Sequence, residues 1–147
     1  MTHVQARAIA DLLGLKLKGR EGLSALDLAR AVRRGISVDA VDRLSARIAP
    51  NDLGWRYRIV PKATLARRQR AAGRRLSSEE SDRLARIARV WSLAREVWGS
   101  DAAAQRFLGE PHSLLGGRVP RELATETEIG ARAVEEVLGR LKFGSAA

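Results

Sequence analysis

The residues of this chain whose types and spacing could do chemistry are cations, not nucleophiles or metal ligands. Between Pro61 and Leu76 the sequence has six Lys and Arg residues and no acid. On a helix they would extend over roughly 20 Å and repel one another unless a polyanion lay against them. Lys and Arg neutralise phosphates, so the cluster predicts nucleic-acid binding. Its members are Lys62, Arg67, Arg68, Arg70, Arg74 and Arg75.

The residues before this cluster predict a short helix and a tight turn around Val60 and Pro61. A helix, a turn and a basic helix are the arrangement that places a recognition helix in the DNA major groove. We expect Lys62, Thr64 and Arg67 to face base edges, and the later cations to contact phosphates. Those later residues are Arg68, Arg70, Arg74 and Arg75.

Two alternatives to specific DNA binding stay open for this segment. The first is a solvated basic face, because charge alone predicts nonspecific binding and not recognition. The second is RNA binding, which is the weaker option because no aromatic platform on a strand is present to stack bases.

Catalysis finds little support in the side chains. The chain has no Cys, which excludes thiol nucleophiles, disulfides and Cys-ligated zinc. His3 and His112 are far apart in sequence, and His112 has no recognisable catalytic partner. The acids between Glu122 and Glu136 have the spacing of a solvated helix face. Gly116–Gly117 lacks the Lys-Ser/Thr of a phosphate loop. We therefore expect a protein that is not an enzyme and has no cofactor and no metal.

The charge of the chain is large and uneven. The net charge is +10, yet residues 100–147 contain seven acids and six bases, so the excess lies before them. Two halves with different charge indicate two functions. No apolar run approaches the roughly 20 residues that cross a bilayer, and Arg7 and Asp11 interrupt the apolar positions of a secretion signal. We expect a cytoplasmic protein.

The elements that must position these residues are helices, because strong helix formers are abundant and no segment has a convincing strand period. Caps, glycines and prolines predict where each helix begins and ends. The predicted helices cover residues 4–13, 24–35, 37–49, 51–59, 61–72, 77–98, 102–108, 120–124 and 129–143, with loops at 15–22 and 111–120.

Three further expectations concern individual side chains. Trp91 and Trp98 belong to an apolar stripe of the long helix, and we expect both in the core. Leu26, Leu28, Ala29 and Val32 are expected on one side of the second helix, and Asn51 is expected to cap the fourth.

Phe143 lies in the short tail of residues 142–147, where two interpretations remain open. It is either an exposed anchor for a partner or a ring that folds back on the core.

Most of the sequence resembles the Xre/MbcA/ParS family of type II antitoxins, most strongly after Thr64. The resemblance extends from about Leu23 onward and is carried by two segments. The first is TLARRQRAAGRRLSSEESDRLARIARVWSLAREVWG from Thr64, and the second is AAAQRFLGEPHSLLGGRVPRELATETEIGARAVEEVLGRLKFG from Ala102. The chain departs from the family pattern at residues 55–58, which are bulkier and more basic, and at Phe107, where the family often has Trp.

The resemblance implies an all-α fold in which an Xre-like helix-turn-helix domain precedes a small helical toxin-binding domain. The corresponding boundaries are an N-terminal segment at residues 1–22, a DNA-binding domain at 23–76 and a toxin-binding domain at 77–147. We expect the first segment to be partly disordered, because a polar, Gly-containing start often frays.

The resemblance also implies partners and a mechanism. The chain would form a homodimer, repress its own operon and occlude the active site of a RES-type toxin that consumes NAD. By position, the toxin-binding role falls on Leu138, Arg140, Lys142, Phe143 and Gly144. The alternative is a stand-alone helix-turn-helix regulator whose C-terminal helices only dimerise; an enzyme acting on nucleotides ranks far below both.

Overall fold

The structure is a computed structural model that describes residues 3–16 and 25–144. Within them every regular element is helical, so the predicted all-α fold is confirmed. The predicted cap at Ser24 and most of the loop predicted at 15–22 lie outside these residues. The helices are α1 (His3–Leu12), α2 (Ala25–Arg34), α3 (Asp39–Ile48), α4 (Arg56–Ile59), α5 (Lys62–Arg70), α6 (Ser78–Trp98), α7 (Asp101–Gly109), α8 (Pro120–Glu126) and α9 (Glu128–Lys142), with 3-10 turns at Leu53–Trp55 and Ser113–Leu115.

The longest of these helices, α6, is the centre of the fold. It packs against α1, α2, α3, α4, α7, α8 and α9. Its stripe of Leu84, Ile87, Trp91 and Ala94 is buried, as the sequence predicts, and the resulting core is continuous from α1 to α9. Trp98 corrects that prediction: its side chain is 41% exposed, because it lies on the last turn of α6, where the core ends.

Local signals account for both ends of α6. The Ser77 hydroxyl accepts a hydrogen bond from the backbone N–H of Glu80, and the Glu80 carboxylate accepts one from the backbone N–H of Ser77. This is the predicted capping box, which satisfies two N–H groups that the first helical turn leaves without partners. Gly99 ends the helix with a φ of 79°, which a residue with a side chain rarely adopts.

The buried face of α2 agrees with the prediction at Leu28 and differs from it at Leu26 and Ala29. Leu28 and Ala31 are buried, whereas Leu26 and Ala29 are exposed. Successive residues of a helix are about 100° apart, so Leu26 and Leu28 point in nearly opposite directions and only one of them can face the core. The contact with α6 selects the face of Leu28.

The cap predicted at Asn51 is also wrong. After Pro50 the chain forms the 3-10 turn Leu53–Trp55, and Asp52 precedes this turn without a capping hydrogen bond from its side chain. Within the described residues no helix is long and apolar enough to span a membrane.

Candidate functional site

The basic helix α5 follows α4 across a two-residue turn at Val60 and Pro61. Ile59 and Val60 are buried at this turn, and the Arg83 guanidinium donates to the carbonyl oxygen of Ile59 over 2.7 Å. Pro61 directly precedes α5, where its missing N–H costs no hydrogen bond. The helix, turn and basic helix that the sequence predicts are therefore present.

Most of α5 faces solvent. Leu65 is its only buried residue, so the helix is anchored by one apolar side chain. Arg67 and Arg70 are exposed and, within the part of the chain that the structure describes, have no ion pair or side-chain hydrogen bond. Lys62 is exposed and its Nζ lies 5.7 Å from the centre of the Tyr57 ring. These three cations are available to an anionic ligand.

Arg68 has a different environment from its neighbours on α5. Its Nε lies 3.1 Å from Oε1 of Glu80, and the pair is largely buried. Burial disfavours the charged carboxylate, but the hydrogen bond from Ser77 and the Arg68 guanidinium outweigh it and lower the pKa of Glu80. Arg68 therefore ties α5 to α6, and it is less available to a phosphate than the sequence suggests.

Arg74 and Arg75 lie beyond the helix. We expected α5 to reach about residue 72, but it ends at Arg70, and Arg74 adopts a positive φ of 48°. The Arg74 guanidinium pairs with Asp39 at 3.0 Å, and Arg75 donates to the carbonyl oxygen of Gly35 over 2.8 Å. Arg74 thus joins the connection after α5 to the start of α3, and Arg75 joins it to the turn between α2 and α3.

Gly35 shows how closely these two segments approach. A Cβ atom at this position would lie 2.5 Å from the carbonyl oxygen of Leu76, and Gly35 has a φ of 99°. The backbone N–H of Leu76 donates to the carbonyl oxygen of Ile36 over 2.8 Å. The backbone N–H of Val38 donates to the carbonyl oxygen of Arg74 over 3.0 Å. The close approach therefore requires a glycine here.

At the other end of the chain, the structure places the predicted toxin-binding residues in three environments. Leu138 corrects the prediction: its side chain is fully buried, so it belongs to the core and offers no surface to a partner. Lys142 pairs with Glu96 of α6 at 2.8 Å. Phe143 is 81% exposed, so it does not fold back on the core. Arg140 and Gly144 are exposed as well.

A cluster of ring contacts that the sequence reasoning missed lies where α6, α7 and the second 3-10 turn meet. We call the residues Trp98, Phe107, His112 and Leu114 the end face. The ring centres of Trp98 and Phe107 are 5.8 Å apart, and those of Phe107 and His112 are 5.5 Å apart. The backbone N–H of Leu114 donates to Nδ1 of His112 over 3.2 Å. The position of Trp98 directly before the helix-ending Gly99 was the available signal.

The acids of this half mostly serve as partners for arginines. Arg89 donates to both Glu128 and Glu135 at 2.7 Å and so ties α6 to α9. Burial disfavours the charged guanidinium, but the two carboxylates outweigh it and raise the pKa of Arg89. Among the described residues no group of three or more acids and histidines could hold a metal ion.

The two halves of the chain match two family models. Residues 27–89 match a model described as the antitoxin Xre-like helix-turn-helix domain. Residues 93–144 match one described as the antitoxin Xre/MbcA/ParS C-terminal toxin-binding domain. The first match contains α5, and the second contains the end face and Phe143.

Two curated proteins named Antitoxin Xre are similar to this chain. The protein from Yersinia enterocolitica is 37% identical over 120 residues, which cover 80% of this chain and 79% of the relative. The protein from Pseudomonas putida is 35% identical over 89 residues, which cover 60% of this chain and 55% of the relative.

Proposed function

The chain belongs to the Xre/MbcA/ParS family of antitoxins, and from this premise we propose that it represses its own operon and inhibits a RES-type toxin that degrades NAD. The operator would be bound through α5, and the toxin through the second matched domain. The order of the two matched domains along the chain is the observation that carries the proposal. In this proposal the chain itself binds no NAD, catalyses nothing and acts as a homodimer.

The surroundings of α5 support its assignment to DNA. Lys62, Thr64 and Arg67 lie in its first two turns, from which a recognition helix contacts base edges. Arg70 follows as a phosphate contact. Internal contacts hold the side chains of Arg68, Arg74 and Arg75 in place. We therefore assign each of them to a phosphate only if it can exchange its internal partner for that phosphate. A homodimer would present two copies of α5 to a palindromic operator.

The tail of residues 142–147 supports an occlusion mechanism. It begins at the end of α9 with Lys142 and an exposed Phe143. A cation beside an aromatic ring is suited to a site that receives a phosphate-bearing cofactor such as NAD. Arg140, Lys142, Phe143 and Gly144 would enter the toxin's active site and exclude its substrate.

Co-expression tests the toxin half of the proposal. The product of the neighbouring gene is expressed alone and together with this chain, while growth and cellular NAD are followed. We expect the neighbour to deplete NAD and this chain to restore it. A harmless neighbour, or a failure to rescue, would contradict the proposal and leave a stand-alone DNA-binding regulator.

Two variants separate the two activities. Truncation after Leu141 should abolish rescue and retain operator binding, whereas Arg67→Ala with Arg70→Ala should weaken operator binding and retain rescue. A truncated chain that rescues as well as the full one would exclude the tail mechanism. Loss of both activities in the arginine variant would indicate that α5 is needed for folding.

A further inference from the structure

One arginine of the toxin-binding domain makes two contacts with the DNA-binding domain. Arg121 is the second residue of α8, within residues 93–144, and its Nη2 donates to the Asp52 carboxylate over 3.0 Å. The same guanidinium lies over the ring of Trp55, 5.7 Å from the ring centre. Asp52 and Trp55 both belong to residues 27–89, which match the helix-turn-helix domain. Arg121 therefore joins the two matched domains directly.

The guanidinium of Arg121 is enclosed by its neighbours. Its side chain is only 18% exposed, and a charge removed from water needs an opposite charge close by, which Asp52 supplies. Gly109, the last residue of α7, leaves the space that the guanidinium occupies, since a Cβ atom there would lie 2.9 Å from Nη1. Arg121 therefore offers little surface to a phosphate of DNA.

Trp55 connects this contact to the DNA-binding helix. It ends the 3-10 turn Leu53–Trp55, directly precedes α4, and its side chain is 2% exposed. Only α4 and a two-residue turn separate it from α5. Helix α5 has one buried residue, Leu65, and one ion pair with α6, so its orientation also depends on the segment that leads into it. A shift of Trp55 would be passed on to α5.

We propose that Arg121 is a positioning residue for operator binding, which fixes the turn at Asp52 and Trp55 and, through this turn, the orientation of α5. Side chains that bind a ligand must be held within about 0.5 Å of the productive geometry by the residues around them. The inference rests on the proposed function and deepens it, because it makes operator affinity depend on a residue of the toxin-binding domain that does not touch DNA.

Gly109→Ala displaces the Arg121 guanidinium without removing a charge. Its Cβ would meet Nη1, the far end of a flexible side chain, so the guanidinium must shift while the backbone need not. The φ of Gly109 is not positive, and alanine is a better helix former than glycine, so the replacement should not lower stability. A fall in operator affinity in this variant would come from the position of Arg121.

Arg118 provides a matched control. It lies three residues before Arg121 in the same matched domain, and its guanidinium pairs with Glu126 at 2.6 Å. Both partners lie outside the helix-turn-helix match. Arg118→Ala removes the same charge as Arg121→Ala and leaves the contact with Asp52 intact.

The experiment measures the affinity of the full chain for a DNA duplex that covers the region directly upstream of its gene, at several salt concentrations. Thermal melts establish the temperatures at which each variant is folded. We expect Arg121→Ala to raise the dissociation constant about tenfold and Gly109→Ala about threefold, and Arg118→Ala to change it less than about twofold because distant charges are screened. The slope of log K against log salt should stay the same, because no phosphate contact is lost.

A double-mutant cycle tests whether Arg121 acts through its contact with the DNA-binding domain. Asp52→Asn removes the charge of a side chain that is 51% exposed, and it should raise the dissociation constant about threefold. In the Arg121→Ala background, neither Asp52→Asn nor Gly109→Ala should have a further effect. If Arg121→Ala does not fold, these two single variants still test the inference.

Three outcomes would overturn the inference. If the Arg121, Gly109 and Asp52 variants bind the duplex like the wild type while folded, the contact is only structural, and the proposed function stands. If Arg121→Ala reduces the salt slope by about 0.9, Arg121 contacts a phosphate itself. If the wild type binds no duplex, the proposed operator binding fails together with this inference.

Discussion

The arginines of α5 and those of the helices after it have the same chemistry and different surroundings. On α5, Arg67 and Arg70 are exposed and have no side-chain partner within the described residues. In the second half, Arg89 binds two carboxylates, and Arg95 shares the carboxylate of Asp101 with Arg47 of α3, at 2.6 and 3.3 Å. Those arginines join helices to one another.

The presence of a carboxylate partner within the chain, more than the number of arginines, therefore distinguishes a structural contact from a surface that is open to a ligand. The hydrogen bond from Arg95 and the charge of Arg47 lower the pKa of Asp101, which shows that this carboxylate is matched by cations of its own protein. Arg67 and Arg70 have no carboxylate partner among the described residues. Their charge can be neutralised by phosphates without breaking an internal contact.

The largest expected effect is on DNA binding. Replacing Arg67 and Arg70 with Ala should raise the dissociation constant of the operator complex at least about tenfold, because a base contact and a phosphate contact are lost. The slope of log K against log salt should decrease by about 0.9 for the lost phosphate contact. Titrations at several salt concentrations measure both quantities. Arg132→Ala, a replacement of an exposed arginine in the second half, is the control and should change neither.

The next effect is on stability. Arg89→Ala should lower the free energy of unfolding by about 2 kcal/mol, because it leaves two partly buried carboxylates without their charged donor. Urea denaturation measures the change, and operator binding should be unaffected. A loss below about 0.5 kcal/mol, as expected for Arg132→Ala, would mean that Arg89 is no more structural than an exposed arginine.

Glu80→Gln tests the intermediate case, in which an arginine of α5 has a structural partner. A Gln can keep the capping box but removes the charge opposite Arg68, so we expect a loss of about 1 kcal/mol at neutral pH. Because the pKa of Glu80 is lowered on folding, its contribution is present above the ordinary value of 4.5 and disappears as the pH falls through the lowered value.

Denaturation curves of wild type and Glu80→Gln across that pH range check the sign. Their difference should shrink as the solution is acidified. A difference that stays constant down to pH values below the folded pKa would show that the charge of Glu80 does not stabilise the protein.

The smallest expected effect on stability is that of Lys142→Ala. Its pair with Glu96 is exposed, and such pairs contribute about 0–1 kcal/mol. If Lys142 acts as a structural contact, like Arg89, the thermal melt will shift and toxin inhibition will follow stability. If Lys142 instead contacts a ligand, as proposed for Arg67, the variant will inhibit the toxin less while its melting temperature stays the same.

Local signals predicted most of the fold. The capping box at Ser77, the glycine at Gly99 and the turn at Pro61 define helix ends through contacts within a few residues, so the sequence alone could locate them. The face that α2 buries and the end of α5 could not be located in this way. They depend on packing with α6 and on contacts such as Arg74 with Asp39, which are 35 positions apart.

The candidate sites show the same difference between local signals and long-range packing. The exposed cations of α5 were predictable because their neighbours in sequence leave them no local partner, whereas the sequence left two interpretations of Phe143 open and only the fold shows that it is exposed. Leu138 was assigned by its position in a family pattern, and only the packing of α9 shows that it is buried. Phe107 and Trp98 lie in different helices, so only the fold could bring their rings into contact.

The length of α6 has a consequence for how such proteins can exchange their parts. The helix starts within residues 27–89 and ends within residues 93–144, and its buried stripe belongs to one core. A recombination event between the two matches would cut through this helix and leave two incomplete halves. Changes in the exposed residues of either matched domain would then accumulate by substitution, while the whole of α6 is inherited as one unit.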